Sequence, residues 1–386
     1  MTGNTLYIQS GGPTPVINCS ALGVISQFEK MNKNNYKLYA SRNSFSGVLN
    51  DNIVDIMKED KDEIKFLYNT PCSIFGSSRH KMLENEYDIF IDNLKKYDIR
   101  NLLINGGNGT AMACKEIEKR LINCGYECSI IGIPKTVDND IYSIDHTPGY
   151  PSAARHIILS ILDLSYELNV YDSGLIMIIE VMGRKCGWLA AACLLANKLC
   201  GYPDLIYTPE NVFDFDKFTN DIKNIYDKNN KCMIVVSEGV KTEDGKYLFE
   251  NNSDLNMGGI LNTIHSKIKN HFSCKIRTID LGLMQRNSSR DTSDIDKKEA
   301  FELGEEALKI AFNGETGKFV AFDRITSKPY NTKMVYHNFD ELIQETNYLP
   351  SKYIINNGTF IDDSFIDYIE PLVGDFPRYS KFKYLK

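Results

Sequence analysis

The chain has 386 residues, of which 42% are hydrophobic and 25% are charged, and its formal net charge is −7. This length exceeds what one core usually serves, so we expect two domains with the composition of an ordinary soluble globular protein. The negative charge argues against a nucleic-acid partner, and we expect any anionic substrate to be held by local Arg and Lys side chains.

No basic region followed by an apolar stretch precedes the first predicted strand, and no apolar run approaches ~18 residues. We therefore expect neither a signal peptide nor a membrane span. The nearest pair among the ten cysteines, Cys124 and Cys128, lacks the second Cys or His pair that a zinc site needs. We expect reduced thiols in a cytoplasmic protein.

The first predicted unit is a strand over residues 6–9, a Gly-Gly-Pro turn at residues 11–13 and a helix over residues 16–28. This arrangement directs backbone N–H groups and a helix N-terminus toward phosphate. The turn is neither a Walker A loop nor a dinucleotide fingerprint, which disfavours a dinucleotide-binding oxidoreductase. On its own, such a turn is most often only a turn.

A second unit of the same kind follows, with a strand over residues 101–105, a Gly-rich turn at residues 106–110 and a helix over residues 111–124. Between the two units, a short strand is predicted at residues 37–40. Arg79 follows a Gly-Ser-Ser turn there, and taken alone it is most simply a solvated surface charge.

The most informative stretch follows the apolar run of residues 129–132 and carries Lys135, Thr136, Asp138 and Asp140. Unpaired charges are costly in a core, so this cluster is expected to face an open cleft. A lysine supplies a point charge for an anion, and a carboxylate can take a proton from an attacking alcohol. The alternative is a polar loop with an Asx turn at residues 138–139.

The second half of the chain repeats this pattern of predicted strands and helices with polar residues at their ends. A helix over residues 152–168 precedes an apolar strand at 175–181, a further strand spans 233–236, and a helix begins near 258–259 ahead of the segment at 276–286. Polar residues again stand at the ends of these elements. Loops at the carboxyl ends of parallel strands share one edge, where ligands bind.

Taken together, these segments resemble the phosphofructokinase family of ATP- and pyrophosphate-dependent 6-phosphofructokinases. Within that family, they most resemble the longer bacterial pyrophosphate-type branch. The matching pieces occur in the family's order: residues 11–15, 106–110, 134–140, 182–184, 237–239 and 283–286. The resemblance implies two similar three-layer α/β domains with mostly parallel sheets and an active site in the cleft between them. The donor-binding domain would comprise residues 1–150 and about 287–325, and the sugar-phosphate-binding domain residues 151–286 and about 326–386.

The resemblance also implies a Mg²⁺-dependent transfer of phosphate to the 1-hydroxyl of fructose 6-phosphate. Asp138 would be the base, Thr136 and Asp140 would flank the hydroxyl, and Arg184 with Lys135 would complete the catalytic group. The donor would contact Gly11, Gly12, Arg79, Gly107, Asn108, Gly109 and Thr110. The acceptor would contact Thr136, Asp138, Asp140, Met182, Gly183, Arg184, Glu238, Arg277, Leu283 and Arg286, and the metal would contact Asn108 and Asp140.

Two departures from the family pattern concern the donor. Asn108 stands where many members have a metal-binding Asp, and it offers a carbonyl oxygen without a charge. Gly109 replaces the Asp that is typical of pyrophosphate enzymes and that repels a nucleotide α-phosphate, whereas Lys135 resembles the pyrophosphate users. On balance we expect ATP as the donor, with pyrophosphate as the alternative.

The third departure concerns the acceptor. Leu175 stands where the family usually has an Arg that reaches a neighbouring subunit's sugar phosphate, and Leu283 stands where many ATP enzymes have a His. A lost charged hydrogen bond costs about 1.5–3 kcal/mol. Arg155, Lys185, Lys275 and Arg290 are candidates to compensate for it. One alternative is that the acceptor is a different sugar or sugar phosphate. Another is that the protein is a non-catalytic regulator that binds phosphate ligands. By resemblance, we expect a homodimer or homotetramer.

Overall fold

The computed structural model describes residues 3–32, 34–248 and 259–380. Its strands are β1 Asn4–Gln9, β2 Leu38–Ser41, β3 Ile53–Asp55, β4 Ile99–Gly106, β5 Ser129–Pro134, β6 Leu175–Val181, β7 Leu205–Tyr207, β8 Lys231–Ser237, β9 Lys275–Asp280, β10 Lys318–Ser327, β11 Tyr330–Asn338, β12 Ile354–Ile355 and β13 Phe360–Ile361.

The helices connect these strands and cover them. They are α1 Ile17–Met31, α2 Phe45–Leu49, α3 Lys61–Lys65, α4 Glu86–Lys96, α5 Asn108–Asn123, α6 Tyr150–Asn169, α7 Trp188–Cys200, α8 Phe215–Asn229, α9 Ile260–Ile268, α10 Asp294–Phe312, α11 Phe339–Leu342 and α12 Ile366–Val373.

The first sheet has the strand order β11-β10-β5-β4-β1-β2-β3. Its central pairs, from β2 through β1 and β4 to β5 and on to β10, are parallel, and its two edge pairs are antiparallel. Neighbouring residues of β4 enter different cores: Leu102 and Ile104 pack on one face of the sheet and Leu103 on the other. The sheet is therefore covered on both faces, which explains its continuous apolar strands.

The second sheet has the order β7-β8-β6-β9 and is wholly parallel. Its strand β6 is buried along its whole length. Ile176 and Ile178 belong to one apolar cluster, whereas Met177 and Ile179 belong to another on the opposite face. This sheet also lies between two layers, and an α/β fold with two mainly parallel sheets is confirmed.

The chain leaves the first sheet after β5 and returns to it after the second sheet. Helix α10 packs closely on α1, because a Cβ at Gly23 would lie 2.0 Å from the carbonyl oxygen of Phe301 and one at Gly304 would lie 2.1 Å from that of Ser20. Strands β10 and β11 then extend the first sheet. The C-terminal helix α12 buries Ile369 and Leu372 in the cluster formed by α6 and α7.

Element boundaries differ modestly from the sequence prediction. The helix expected near residues 258–259 begins at Ile260, and residue 258 itself lies outside the described residues. All ten cysteines fall inside the described ranges and are free thiols, as expected. Within the same ranges, no helix is long and apolar enough to span a membrane.

Candidate active site

The carboxyl ends of the two sheets open onto one cavity of about 1050 Å³. The loops after β1, β4 and β5 reach it from the first sheet, and those after β6, β8 and β9 reach it from the second. Its lining includes the following predicted site residues: Gly11, Gly12, Arg79, Gly107, Asn108, Gly109, Thr110, Lys135, Thr136, Asp138, Asp140, Met182, Arg184, Glu238, Leu283 and Arg286. Segments far apart in sequence are therefore brought to one space.

Asp138 and Asp140 form the acidic centre of this cavity. Burial, together with the negative charges of Asp140 and Glu238, raises the pKa of Asp138 to about 8. Burial also raises the pKa of Asp140, although hydrogen bonds from Thr136 and Asn108 oppose that shift. A carboxyl group tuned near neutral pH has the proton affinity of an efficient general base.

Hydrogen bonds of two side chains, Thr136 and Asn108, shape the loop that carries this pair. The hydroxyl oxygen of Thr136 accepts the N–H of Asp138 at 3.1 Å. The side-chain amide of Asn108 donates to Asp140 Oδ2 at 2.8 Å and to the Asp140 carbonyl oxygen at 3.0 Å. The turn after β4 is thus tied directly to the loop after β5.

Lys135 is the buried cation of the site, only 3% exposed. Its ammonium group donates to the carbonyl oxygen of Gly12 at 2.5 Å, and an added Cβ at Gly11 would lie 3.4 Å from Nζ. Burial lowers the pKa of Lys135 to about 8, while the charges of Asp140 and Asp138 oppose that shift. The group therefore places positive charge against the Gly11–Gly12 turn.

The donor side of the cavity is open beside Gly109. This residue lies in the first turn of α5, and a Cβ added there would have no atom of the described residues within 4 Å. The lining of the same cavity includes apolar side chains that carry no sequence motif: Phe45, Met82, Tyr87, Met112 and Ala113. Only the tertiary fold brings them together, so sequence reasoning missed them.

The other side of the cavity is polar. Gly183 lies just beneath the lining with φ +124°, and its N–H donates to Glu238 Oε1 at 3.3 Å. Burial raises the pKa of Glu238 to about 6. The N–H of Met182 donates to the side-chain oxygen of Gln285 at 2.8 Å, and Gln285 is a lining residue that sequence reasoning did not select.

The two arginines predicted to bind the acceptor lie in different places. The guanidinium of Arg286 reaches the Gly-Gly turn, since a Cβ at Gly12 would lie 3.4 Å from Arg286 Nη1. Arg277 lies outside the cavity lining and forms an ion pair with Glu167 at 3.2 Å. It precedes the carboxyl end of β9 by three residues, which explains why it does not reach the cavity within one chain. Leu175 is a buried core residue.

The predicted metal ligands lie side by side. Asn108 Oδ1 is buried and has no hydrogen-bond partner among the residues that the structure describes. No group of three or more His, Cys, Asp or Glu side chains in the described ranges is arranged to hold a metal ion. Mg²⁺ commonly takes only one or two carboxylates, with substrate phosphates and water completing its shell. The unpartnered amide oxygen beside the Asp140 carboxylate fits that mode of binding.

Comparison with known proteins agrees with the geometry. The phosphofructokinase family profile matches residues 4–311. The pyrophosphate–fructose 6-phosphate 1-phosphotransferase of Halomonas elongata is 33% identical over 98% of this chain and 94% of its own length. The crystal structure of a pyrophosphate-dependent phosphofructokinase from Marinobacter aquaeolei has a TM-score of 0.89 at 31% identity, over 99% of this chain and 94% of that one.

A further relative differs in its named activity. The sulfofructose kinase of Alkalicoccus urumqiensis is 30% identical over 84% of this chain and 85% of its own length. The expected resemblance is confirmed: the chain belongs to the phosphofructokinase family and is a phosphotransferase of that type.

Proposed function

We propose that the protein transfers a phosphoryl group from pyrophosphate to the 1-hydroxyl of fructose 6-phosphate, giving fructose 1,6-bisphosphate and orthophosphate. The observation that carries the proposal is the buried Lys135 ammonium, which donates to Gly12 in the first Gly-rich turn and interacts electrostatically with the Asp138 carboxyl group. The names of the relatives from Halomonas and Marinobacter support pyrophosphate better than the ATP expected from Gly109.

In this mechanism, Asp138 takes the proton of the sugar 1-hydroxyl. The electron pair of that oxygen forms a bond to phosphorus, the bridging P–O bond of pyrophosphate breaks, and orthophosphate leaves. Phosphoryl transfer depends mainly on positioning and on neutralising charge. Lys135 and Arg184 supply positive charge around the transferring group. The N–H groups of Gly12 and of residues 107–109 would serve the donor, whereas those of Gly11 and Thr110 already donate to the carbonyl oxygens of Ser78 and Gly107.

Asp140 and the free amide oxygen of Asn108 would hold Mg²⁺ bound to the donor phosphates. When bound, the metal neutralises phosphate charge. Because Asn108 contributes no charge, Asp140 is the only carboxylate of the pair, and substrate oxygens and water must complete the shell. The hydrogen bonds from Asn108 to Asp140 orient the carboxylate for this role.

ATP remains a second candidate donor because of one specific observation. The space beside Gly109 is open among the described residues, and Phe45, Met82 and Tyr87 give the same cavity an apolar part of its lining. A nucleotide base needs such a surface, whereas pyrophosphate does not.

The acceptor subsite supports fructose 6-phosphate through Glu238 for a sugar hydroxyl and Arg286 for the phosphate. A different sugar or sugar phosphate is the second candidate, since Leu175 is apolar, Leu283 is exposed and Arg277 is ion-paired outside the cavity. The sulfofructose kinase relative favours keeping this alternative. A homodimer or homotetramer, in which Arg277 serves a neighbouring subunit, also stays a proposal.

Initial rates of sugar phosphate ester formation, measured by ion chromatography of the products, test both substrates. Purified protein is given pyrophosphate or ATP with Mg²⁺ and fructose 6-phosphate, sedoheptulose 7-phosphate or fructose. The proposal predicts the highest kcat/KM for pyrophosphate with fructose 6-phosphate. A preference for ATP would replace the donor, a preference for another sugar would replace the acceptor, and no turnover with any pair would refute the proposed function. Asp138→Asn is the control for contaminating activity.

A further inference from the structure

The C-terminal part of the chain contacts the loop that carries Asp138 and Asp140. The residue between them, Asn139, is fully buried and has φ +56°. A residue other than Gly in this left-handed region must be held by its surroundings. Its side-chain amide donates to the hydroxyl oxygen of Tyr368 at 2.9 Å, and its Oδ1 accepts the N–H of Thr147 at 3.0 Å.

Tyr368 lies on α12 and joins both ends of this loop. Its hydroxyl donates to the carbonyl oxygen of Asp145 at 2.7 Å while accepting from Asn139. Its ring packs on Trp188 and Phe365, with ring centroids 5.1 and 5.3 Å away. Replacing the hydroxyl alone would therefore leave the packing of the helix in place.

Asn347 makes a second set of contacts to the same loop. Its side-chain amide donates to the carbonyl oxygen of Asn139 at 3.0 Å, and its backbone N–H donates to that of Asp140 at 3.1 Å. Its own carbonyl oxygen accepts the indole N–H of Trp188 at 2.7 Å. Trp188 begins α7 directly after the loop of Arg184, so Asn347 connects the loops that carry the proposed base and the proposed cation.

We propose that Asn347 and Tyr368, together called the C-terminal clamp, are positioning residues that fix Asp138 relative to Arg184. The inference rests on the proposed function, because it concerns the geometry of the proposed base. Both residues lie beyond residues 4–311, the region that the family profile matches. Neither lines the cavity, so they act through the loop and not on the substrate.

The effect of losing the clamp follows from the sensitivity of reactions to alignment. A displacement of about 1 Å in a reacting group costs on the order of 10²-fold in rate. We expect Tyr368→Phe and Asn347→Ala to lower kcat by roughly 10- to 100-fold on this basis. We expect KM for donor and acceptor to change by less than about threefold, since the substrate-binding side chains stay in place.

The test measures kcat and KM for wild type and both variants, with folded protein quantified by circular dichroism. Tyr379→Phe is the matched control, because the Tyr379 hydroxyl donates to Asp163 at 2.6 Å on the outer side of α6. The clamp predicts a fall in kcat with nearly unchanged KM in both clamp variants and an unchanged kcat in the control. A merely structural role would reduce the folded fraction and leave kcat per folded molecule unchanged.

The outcomes separate the two proposals. An active wild type whose two clamp variants keep its kcat would overturn the clamp alone. A wild type without phosphotransfer would overturn the proposed function and the clamp with it. If Tyr368→Phe does not fold, Asn347→Ala decides, because it removes only the side-chain amide and keeps the backbone N–H bond to Asp140.

Discussion

Replacing Gly109 by Asp changes the donor side of the cavity without disturbing the fold. An added Cβ meets no atom of the part of the chain that the structure describes within 4 Å, and the residue lies in the first turn of α5. Gly is a poor helix former, and a carboxylate near a helix N-terminus gains about 0.3–1 kcal/mol. We therefore expect the free energy of unfolding of Gly109→Asp to equal that of wild type or exceed it by up to about 1 kcal/mol.

The effect on donor use is expected to be selective. A nucleotide that extends past the turn would bring its α-phosphate about 6 Å from the new carboxylate, and two like charges at that distance repel by about 3 kcal/mol at an effective dielectric constant of ~20. This corresponds to a loss of roughly 100-fold in kcat/KM for ATP, or an equal rise in its inhibition constant where ATP is not turned over. Pyrophosphate has no such group, and its kcat/KM should stay within about threefold.

Initial rates with each donor at saturating acceptor measure this difference, and Gly109→Asn is the control that keeps the shape of the side chain and omits its charge. An equal fall for both donors in Gly109→Asp would refute the reasoning, because it would mean that the space beside Gly109 serves pyrophosphate as well. An unchanged interaction with ATP would refute it too, since the nucleotide would then take another path.

Further outcomes follow from the acidic centre and from the predicted metal ligand Asn108. Because Asp138 acts as a base and its pKa is raised to about 8, kcat/KM should rise with pH through that region, and Glu238→Gln should move the rise to lower pH. Asp138→Asn should lower kcat by about 10²–10⁴-fold. The same variant should raise Tm at pH 8, measured by calorimetry. The reason is that, between the ordinary pKa of 3.8 and the raised pKa of about 8, Asp138 of the folded wild type holds a proton that the unfolded chain has released. The stability of the wild type therefore falls as pH rises through this range. Chelation of Mg²⁺ should abolish turnover, and Asn108→Ala should raise the Mg²⁺ concentration for half-maximal rate.

The sequence predicted the elements that carry the site because local signals mark them. The apolar run at residues 175–181 is β6 with the same limits, and the Gly-rich turns end β1 and β4 as expected. Helix α5 begins three residues earlier than predicted, at Asn108. The Gly in the pattern suggested a loop there, whereas the N-terminal turn tolerates Gly and is tied by Asn108 to Asp140.

What the sequence could not reveal depends on contacts between distant segments. No local pattern indicates that Tyr368, more than two hundred residues after Asn139, would bind its side chain. The sequence therefore indicates no functional role for the tail from residue 353. Arg277 was assigned to the acceptor by resemblance, but its position along β9 carries it to an ion pair with Glu167. Resemblance in a motif fixes neither the direction of a side chain nor the subunit that it serves.

The central claim is that Asp138 lets this chain pass a phosphoryl group from pyrophosphate to fructose 6-phosphate. ³¹P NMR of the purified protein with Mg²⁺, pyrophosphate and fructose 6-phosphate tests it most directly. With wild type, we expect loss of pyrophosphate and equimolar appearance of orthophosphate and of a new phosphate ester at the sugar 1-position. With Asp138→Asn, we expect no such change. Orthophosphate appearing in pairs without the new ester, or an unchanged spectrum with wild type, would contradict it.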